Sequence, residues 1–203
     1  MQNQYDVTII TVRPATQTKA LSILERVLTN DRTLLACWFS EIGALNQILI
    51  LRSVADPAAI LESRMAMLNS KSPFGVGEMM TGMTMDTFVA FDFLSPMQPG
   101  PHGPCYEVRS YAFNNDGVPP TIELWRKAVP ARAKISPLLT AMTSVTGPVA
   151  RFMHIWPYKS LEERARLRAK AIDEGVWPPP GGPGHFKTQQ SDIFLPAQFS
   201  PMR

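Results

Sequence analysis

An α+β fold of two ferredoxin-like βαββαβ units in tandem is the architecture this 203-residue sequence predicts, and three observations predict it. The chain repeats itself. Laid on itself with an offset of 104, it pairs Leu34–Leu35 with Leu138–Leu139, Gly43 with Gly147, and Leu49/Leu51 with Met153/Ile155. Both copies also open a helix at the same place by different means. Asp56 is an N-cap followed by Pro57 at the first helical position, whereas Ser160 is an N-cap with Glu163 three residues on, a capping-box pattern. Finally, the apolar periodicity of each copy runs strand, helix, strand, strand, helix, strand, the order of a split βαβ unit.

In the first unit (1–94) these elements fall at about 5–13, 16–30, 33–41, 45–54, 57–69 and 81–94. In the second (105–203) they fall at about 105–113, 120–135, 138–145, 149–157, 160–174 and 185–199. Tyr5-Asp-Val and Tyr106-Glu-Val each open a first strand. The middle strands of each unit meet at Gly43 and at Thr146-Gly147, which suits hairpins. Leu61, Met65 and Leu68 match Ala165, Ala169 and Ile172 as the apolar stripe of the following helix. Asp86-Thr-Phe-Val and Asp192-Ile-Phe-Leu stand near the final strands. The stretch 95–104 (SPMQPGPHGP) is a Pro/Gly linker that regular structure cannot absorb. A second such stretch, WPPPGGPGHF from Trp177 to Phe186, is too long for a minimal turn and is expected to lie over something.

A hydrophobic fraction of 45% and a charged fraction of 18% are those of a soluble globular chain. The net charge of +3 is uneven: −2 over 1–104 and +5 over 105–203. That modest excess reads as solvated helix surface, and no nucleic-acid partner is expected. Cys37 lies in an apolar run, and neither it nor Cys105 has neighbours in metal-ligand spacing, so no metal is expected. His102 and His185 lie in separate Pro/Gly loops. No phosphate loop or nucleophile elbow is present, and no cofactor is implied. The N-terminal MQNQYDVTIITV runs straight into a strand pattern, without a basic region before an apolar one, and no apolar run reaches the length of a membrane span. The expectation is a cytoplasmic protein.

The runs YEVRSYAF, ELWRKAVPARAKI and GPVARFMHIWPYKSLEERARLRA resemble the NIPSNAP domain. The resemblance covers the second half continuously and the first more weakly: His154-Ile-Trp156-Pro157-Tyr158 there becomes Ile50-Leu-Arg52-Ser53-Val54. It implies a tandem member of the dimeric α/β-barrel superfamily, with two sheets packed face to face and helices outside. Eukaryotic relatives are linked to mitochondria and to vesicle or autophagy adaptors, and bacterial ones mostly lack an assigned reaction. The resemblance therefore implies a fold and little chemistry.

Strand alternation puts Glu107, Arg109, Tyr111 and Phe113 on one face, with Phe152, His154 and Trp156 on the matching face of a neighbouring strand. With small or aliphatic residues assigned to the helix layer, this polar and aromatic set is expected to line the space between the two sheets. First-half Arg52 is then expected at the place of Trp156. As a site, Arg109 would anchor an anion, Tyr111, Phe152 and Trp156 would hold the ligand, and His154 with Glu107 would serve acid/base chemistry, for an acidic or aromatic small molecule. The same set also reads as a filled interface whose Glu107 and Arg109 simply pair. Two functions follow: a small-molecule-binding or protein-interaction module, or a cofactor-independent oxygenase or isomerase working in the intersheet pocket. Arg164, Arg166, Arg168 and Lys170 read as a salt-bridged solvent face. Met65, Met67, Met79, Met80, Met83 and Met85 read as core filler. Free edge strands and exposed helices lead to the expectation of a homo-oligomer, a dimer in the first instance.

Overall fold

The computed structural model describes residues 2–148 and 150–203. The elements are β1 (Gln4–Val12), α1 (Gln17–Leu28), β2 (Leu34–Ile42), β3 (Gln47–Val54), α2 (Pro57–Asn69) and β4 (Met80–Ala90), then β5 (Cys105–Phe113), α3 (Val118–Ala133), β6 (Thr140–Ser144), β7 (Arg151–Tyr158), α4 (Leu161–Asp173) and β8 (Phe186–Pro196). Val149, where the seventh strand was expected to open, lies outside the described residues. Both caps form: Asp56 Oδ1 accepts from Ala58 N at 2.9 Å and Ser160 Oγ accepts from Glu163 N at 3.1 Å. No described helix is long and apolar enough to cross a membrane.

Each half has the same strand order, β4-β1-β3-β2 and β8-β5-β7-β6, as the repeat predicts. The halves do more than face one another. β2 pairs with β8 and β4 pairs with β6, so the eight strands close into one barrel with all four helices outside. Closure removes the free sheet edges on which the expectation of a homo-oligomer partly rested.

The two junctions are clasped in the same way. At one, Asp192 Oδ1 on β8 accepts from Ala44 N at 2.9 Å, in the β2–β3 turn of the other half. At the other, Asp86 on β4 lies 2.9 Å from Arg151 Nη2 and packs against the turn at Gly147. Gly43 and Gly147 have φ of +105° and +66°, and a Cβ on either would fall 1.9 Å and 2.2 Å from the aspartate's Oδ1. The backbone handedness and the space both demand glycine there.

The barrel interior is apolar and draws on both halves: Val7, Leu49, Leu51 and Phe88 with Val108, Met142, Met153, Ile155 and Phe194. Trp38 stacks on Tyr106 across the junction with ring centroids 4.0 Å apart. One end is stoppered by Met97 from the linker and Met202 from the C-terminal segment, both buried, and Trp38 Nε1 donates to Met202 O at 3.1 Å.

Two expectations about faces are corrected here. Met153 and Ile155 point into the barrel, so Glu107, Arg109, Tyr111, Phe152, His154 and Trp156 lie on its outer face, under α3 and α4. The alternation is as expected and its assignment is reversed: a closed eight-stranded interior is the drier place, and it takes the aliphatic set. The helix stripe is also displaced. Leu61, Met65, Leu68 and Ile172 are exposed, whereas the residues turned to the barrel are Ile60, Arg64 and Met67 on α2 and Arg164, Leu167, Arg168 and Ala171 on α4. Arg164 and Arg168 are thus not solvent-face residues. Their stems lie beneath the helix because a buried carboxylate on β5 waits for them. Of the methionines, Met79 is buried in the layer beneath α1 and α2, with Met67, Met80 and Met83 packed against it.

Candidate functional site

β5 and β7 are neighbours with Glu107 opposite Trp156, Arg109 opposite His154 and Tyr111 opposite Phe152. The predicted residues therefore converge, on the face opposite to the one expected. Asp6 stands opposite Arg52 in β1 and β3, so Arg52 does hold the position of Trp156.

Between this face, α3, α4 and the 177–183 segment lies a cavity of about 220 Å³. Arg109, Tyr111 and His154 line it. Glu107, Phe152 and Trp156 stand behind that lining. Four lining residues that alternation could not identify are Trp125 from α3, Arg168 from α4, Trp177 and Phe186. Pro178, Pro179 and Pro183 complete the roof, so the Pro/Gly stretch does lie over something. Its prolines were the available signal.

The walls are aromatic. Trp125 meets His154, Phe152 and Trp177 with centroids 4.7, 4.8 and 4.7 Å apart, and Tyr111 meets Phe186 at 4.9 Å. Such edge-to-face contacts hold the rings in fixed orientations around the space. Burial raises the Tyr111 phenol above its ordinary value, so it is protonated at neutral pH.

Behind this wall, Glu107 is fully buried. Its Oε1 accepts from Arg164 Nη2 at 2.6 Å, Ser191 Oγ at 2.7 Å and Arg109 Nη1 at 3.0 Å, while Arg168 Nη1 lies 3.8 Å from Oε2. Arg109 Nε donates to the Tyr111 hydroxyl. Burial alone would raise the Glu107 carboxyl, but the Arg164 hydrogen bond, the Arg109 charge and the Ser191 hydroxyl outweigh it, and the net shift is downward. Glu107 is thus an anion held by cations and is not poised to take up a proton. Arg132, also buried, lies 4.6 Å from the Trp156 ring centroid, a cation–π contact.

His154 is buried and neutral. Burial pushes its imidazole well below the ordinary value, and the charges of Arg109 and Arg168 add to that. Trp156 Nε1 lies 2.7 Å from His154 Nδ1. An indole N–H can only donate, so Nδ1 is the acceptor and the ring proton sits on Nε2. That Nε2 is buried without a hydrogen-bond partner among the described residues. The expected acid/base histidine is in this geometry a neutral hydrogen-bond donor.

A pH dependence follows. A histidine whose folded value is depressed contributes stability in full above its unfolded value near 6.5, and that contribution falls as the pH drops. Stability of the wild type is expected to fall by about 1.4 kcal/mol more than that of His154→Phe between pH 7.5 and 5.5. Urea titrations at the two pH values would show this, and equal losses in the two proteins would contradict it.

Residues 106–201 match the family model described as NIPSNAP. Over 46 residues the chain is 44% identical to the protein NipSnap homolog of Dictyostelium discoideum, a match covering 23% of this chain and 21% of that protein. The chain thus spans about a fifth of the length of that curated relative. Among solved structures, an anthrone oxidase-like protein superposes with a TM-score of 0.68 at 12% identity, covering 98% of this chain and 92% of its own. A protein described as a candidate monooxygenase from Lactobacillus acidophilus superposes with a TM-score of 0.67 at 8% identity, covering 96% and 94%. At such identities the likeness is one of fold, the dimeric α/β barrel, which this chain builds from its own two halves.

Proposed function

We propose that the protein, whose residues 106–201 match the family model described as NIPSNAP, is a small-molecule-binding module. Its ligand is a flat apolar or aromatic molecule held under the 177–183 roof. The observation that carries this reading is the cavity of about 220 Å³ walled by Tyr111, Trp125, Trp177 and Phe186. That is the liquid volume of roughly seven waters, enough for one or two fused rings. Arg109, Tyr111 and His154 touch the ligand in this reading, and Trp156, Phe152 and Glu107 hold them in place. Catalysis by proton transfer at His154 is not part of it, because Nδ1 is engaged by Trp156 and the ring is neutral.

Native mass spectrometry of the purified protein should show a retained small molecule. Titration with two-ring aromatic probes, charged and neutral, should quench tryptophan fluorescence. Trp177→Ala removes one wall and is expected to weaken binding about tenfold. Absence of both retention and quenching in the wild type would end this reading.

Self-association is a second element of the proposal, favoured by one observation. Leu61, Met65 and Leu68 project from α2 at 62%, 50% and 68% exposure, a stripe that the barrel does not cover. Light scattering should give twice the chain mass, and Leu61→Glu with Met65→Glu should return the protein to the monomer.

A further inference from the structure

The two halves share one backbone plan, which makes the first half an internal control for the second. In the first half the outward face of the sheet carries a buried carboxylate, Asp6, bound by Arg52 Nη2 at 2.8 Å and Arg64 Nη2 at 2.6 Å. Arg52 Nη1 also lies 3.8 Å from Asp31 Oδ2. Two acids meet two bases. At the places of Arg109, Tyr111 and His154 stand Thr8, Ile10 and Ile50, all fully buried.

The second half keeps the carboxylate and abandons the balance. Arg109, Arg164 and Arg168 all converge on Glu107, and among the described residues no other carboxylate comes within 4.0 Å of any of them. Arg132 adds a fourth guanidinium, buried, with Nε and Nη1 unpartnered and without an ion pair among the described residues. Four permanent cations against one anion, with Arg132 buried, Arg109 16% exposed and Arg164 and Arg168 26% and 30% exposed, is an arrangement that ordinary packing disfavours. The fold does not require it, since the first half builds the same layer from Thr and Ile. The surplus therefore points to a missing counter-charge. Two of the guanidiniums, those of Arg109 and Arg168, border the cavity. His154, 2% exposed and lining the same cavity, has an Nε2–H without a partner, and that group can satisfy itself only on an acceptor.

We infer that the cavity takes an organic anion, an aromatic carboxylate, whose carboxylate oxygens accept from Arg109, Arg168 and His154 Nε2–H while its ring lies among Trp125, Trp177 and Phe186. This inference rests on the small-molecule reading above and narrows it to one chemical class. The carboxylate supplies the second negative charge of the layer, and the planar guanidiniums suit its geometry. The unpartnered imidazole N–H is the group that orients it.

The test compares 2-naphthoate with 2-naphthamide, which share a ring system and differ in charge, by calorimetry and tryptophan quenching on the whole chain. Naphthoate should bind at least tenfold more tightly. Arg168→Met keeps the apolar stem and removes the guanidinium, and it should abolish that preference by weakening naphthoate at least tenfold more than naphthamide. Arg166→Met, on the outward face of the same helix, should leave both affinities unchanged. Naphthamide binding as tightly as naphthoate would overturn the inference and leave the small-molecule reading standing. An equal loss in Arg166→Met and Arg168→Met would also overturn it, since general attraction to a basic helix would then account for the preference. If neither probe binds, the pocket reading fails and the inference with it.

Discussion

Glu107→Gln is expected to destabilise the fold by about 3 kcal/mol, the scale seen when one member of a buried ion pair is removed. The glutamine nearly preserves the volume, so the loss is electrostatic. Arg109, Arg164 and Arg168 would remain around a neutral amide, and Arg164 Nη2, now 2.6 Å from Oε1, would lose its charged acceptor. Because the folded carboxyl titrates below its ordinary value of 4.5, its contribution is complete above that value and disappears as the pH falls through the folded one. The gap between wild type and Glu107→Gln should therefore be widest near neutrality and narrow on acidification below about 4.5. Urea unfolding from pH 7 to pH 3.5 measures both. A gap that stays constant across that range would mean that the carboxylate charge is not what holds the three guanidiniums.

Gly43→Ala is expected to cost about 3 kcal/mol, from the strain of an alanine held at positive φ and from displacement of Asp192 from Ala44 N–H. At +105° the backbone lies outside even the region that asparagine tolerates, so Gly43→Ala should cost more than Gly147→Ala, whose φ is +66°. The double variant Gly43→Ala with Asp192→Ala separates the two contributions. It removes the 1.9 Å collision and should make the glycine substitution milder than it is alone. Strict additivity in denaturant melts would show that the turn and Asp192 are not in contact.

Much of this architecture was readable beforehand because its signals are local. The caps at Asp56 and Ser160, the turn glycines and the period-two strands each act over a few residues, and the repeat states each of them twice. Which side of the sheet is inner was not local. Tyr106 and Val108 alternate with Glu107 and Arg109 in either reading, and the choice between faces depends on closure of the barrel through pairs such as Trp38 with Pro196. The stripe of α4 misled for a related reason. Ala165, Ala169 and Ile172 look like a buried face, but Glu107 binds Arg164 and Arg168, and that turns the helix so that Ile172 is 57% exposed. A buried charge outranks a few small apolar side chains in setting a helix's rotation. The grouping of Arg109, Tyr111 and His154 survived the reversal because strand register brings them together on either face. Trp125 and Trp177 reach the cavity from a helix and a loop, and no periodicity relates those to the sheet.

The barrel's two seams also set the order in which the chain can finish folding. β2 finds one of its neighbours only in residues 193–196, and β4 finds one of its own only in residues 142–144. Until those distant segments arrive, the first half carries two raw sheet edges and an uncovered apolar face, the very surfaces that recruit other chains. Loop closure over such separations is slow, so the nascent first half passes through a window of vulnerability before its second sheet arrives. Joining both halves in one polypeptide shortens that window. It holds the second sheet at high local concentration beside the first, so that closure becomes a search within one molecule.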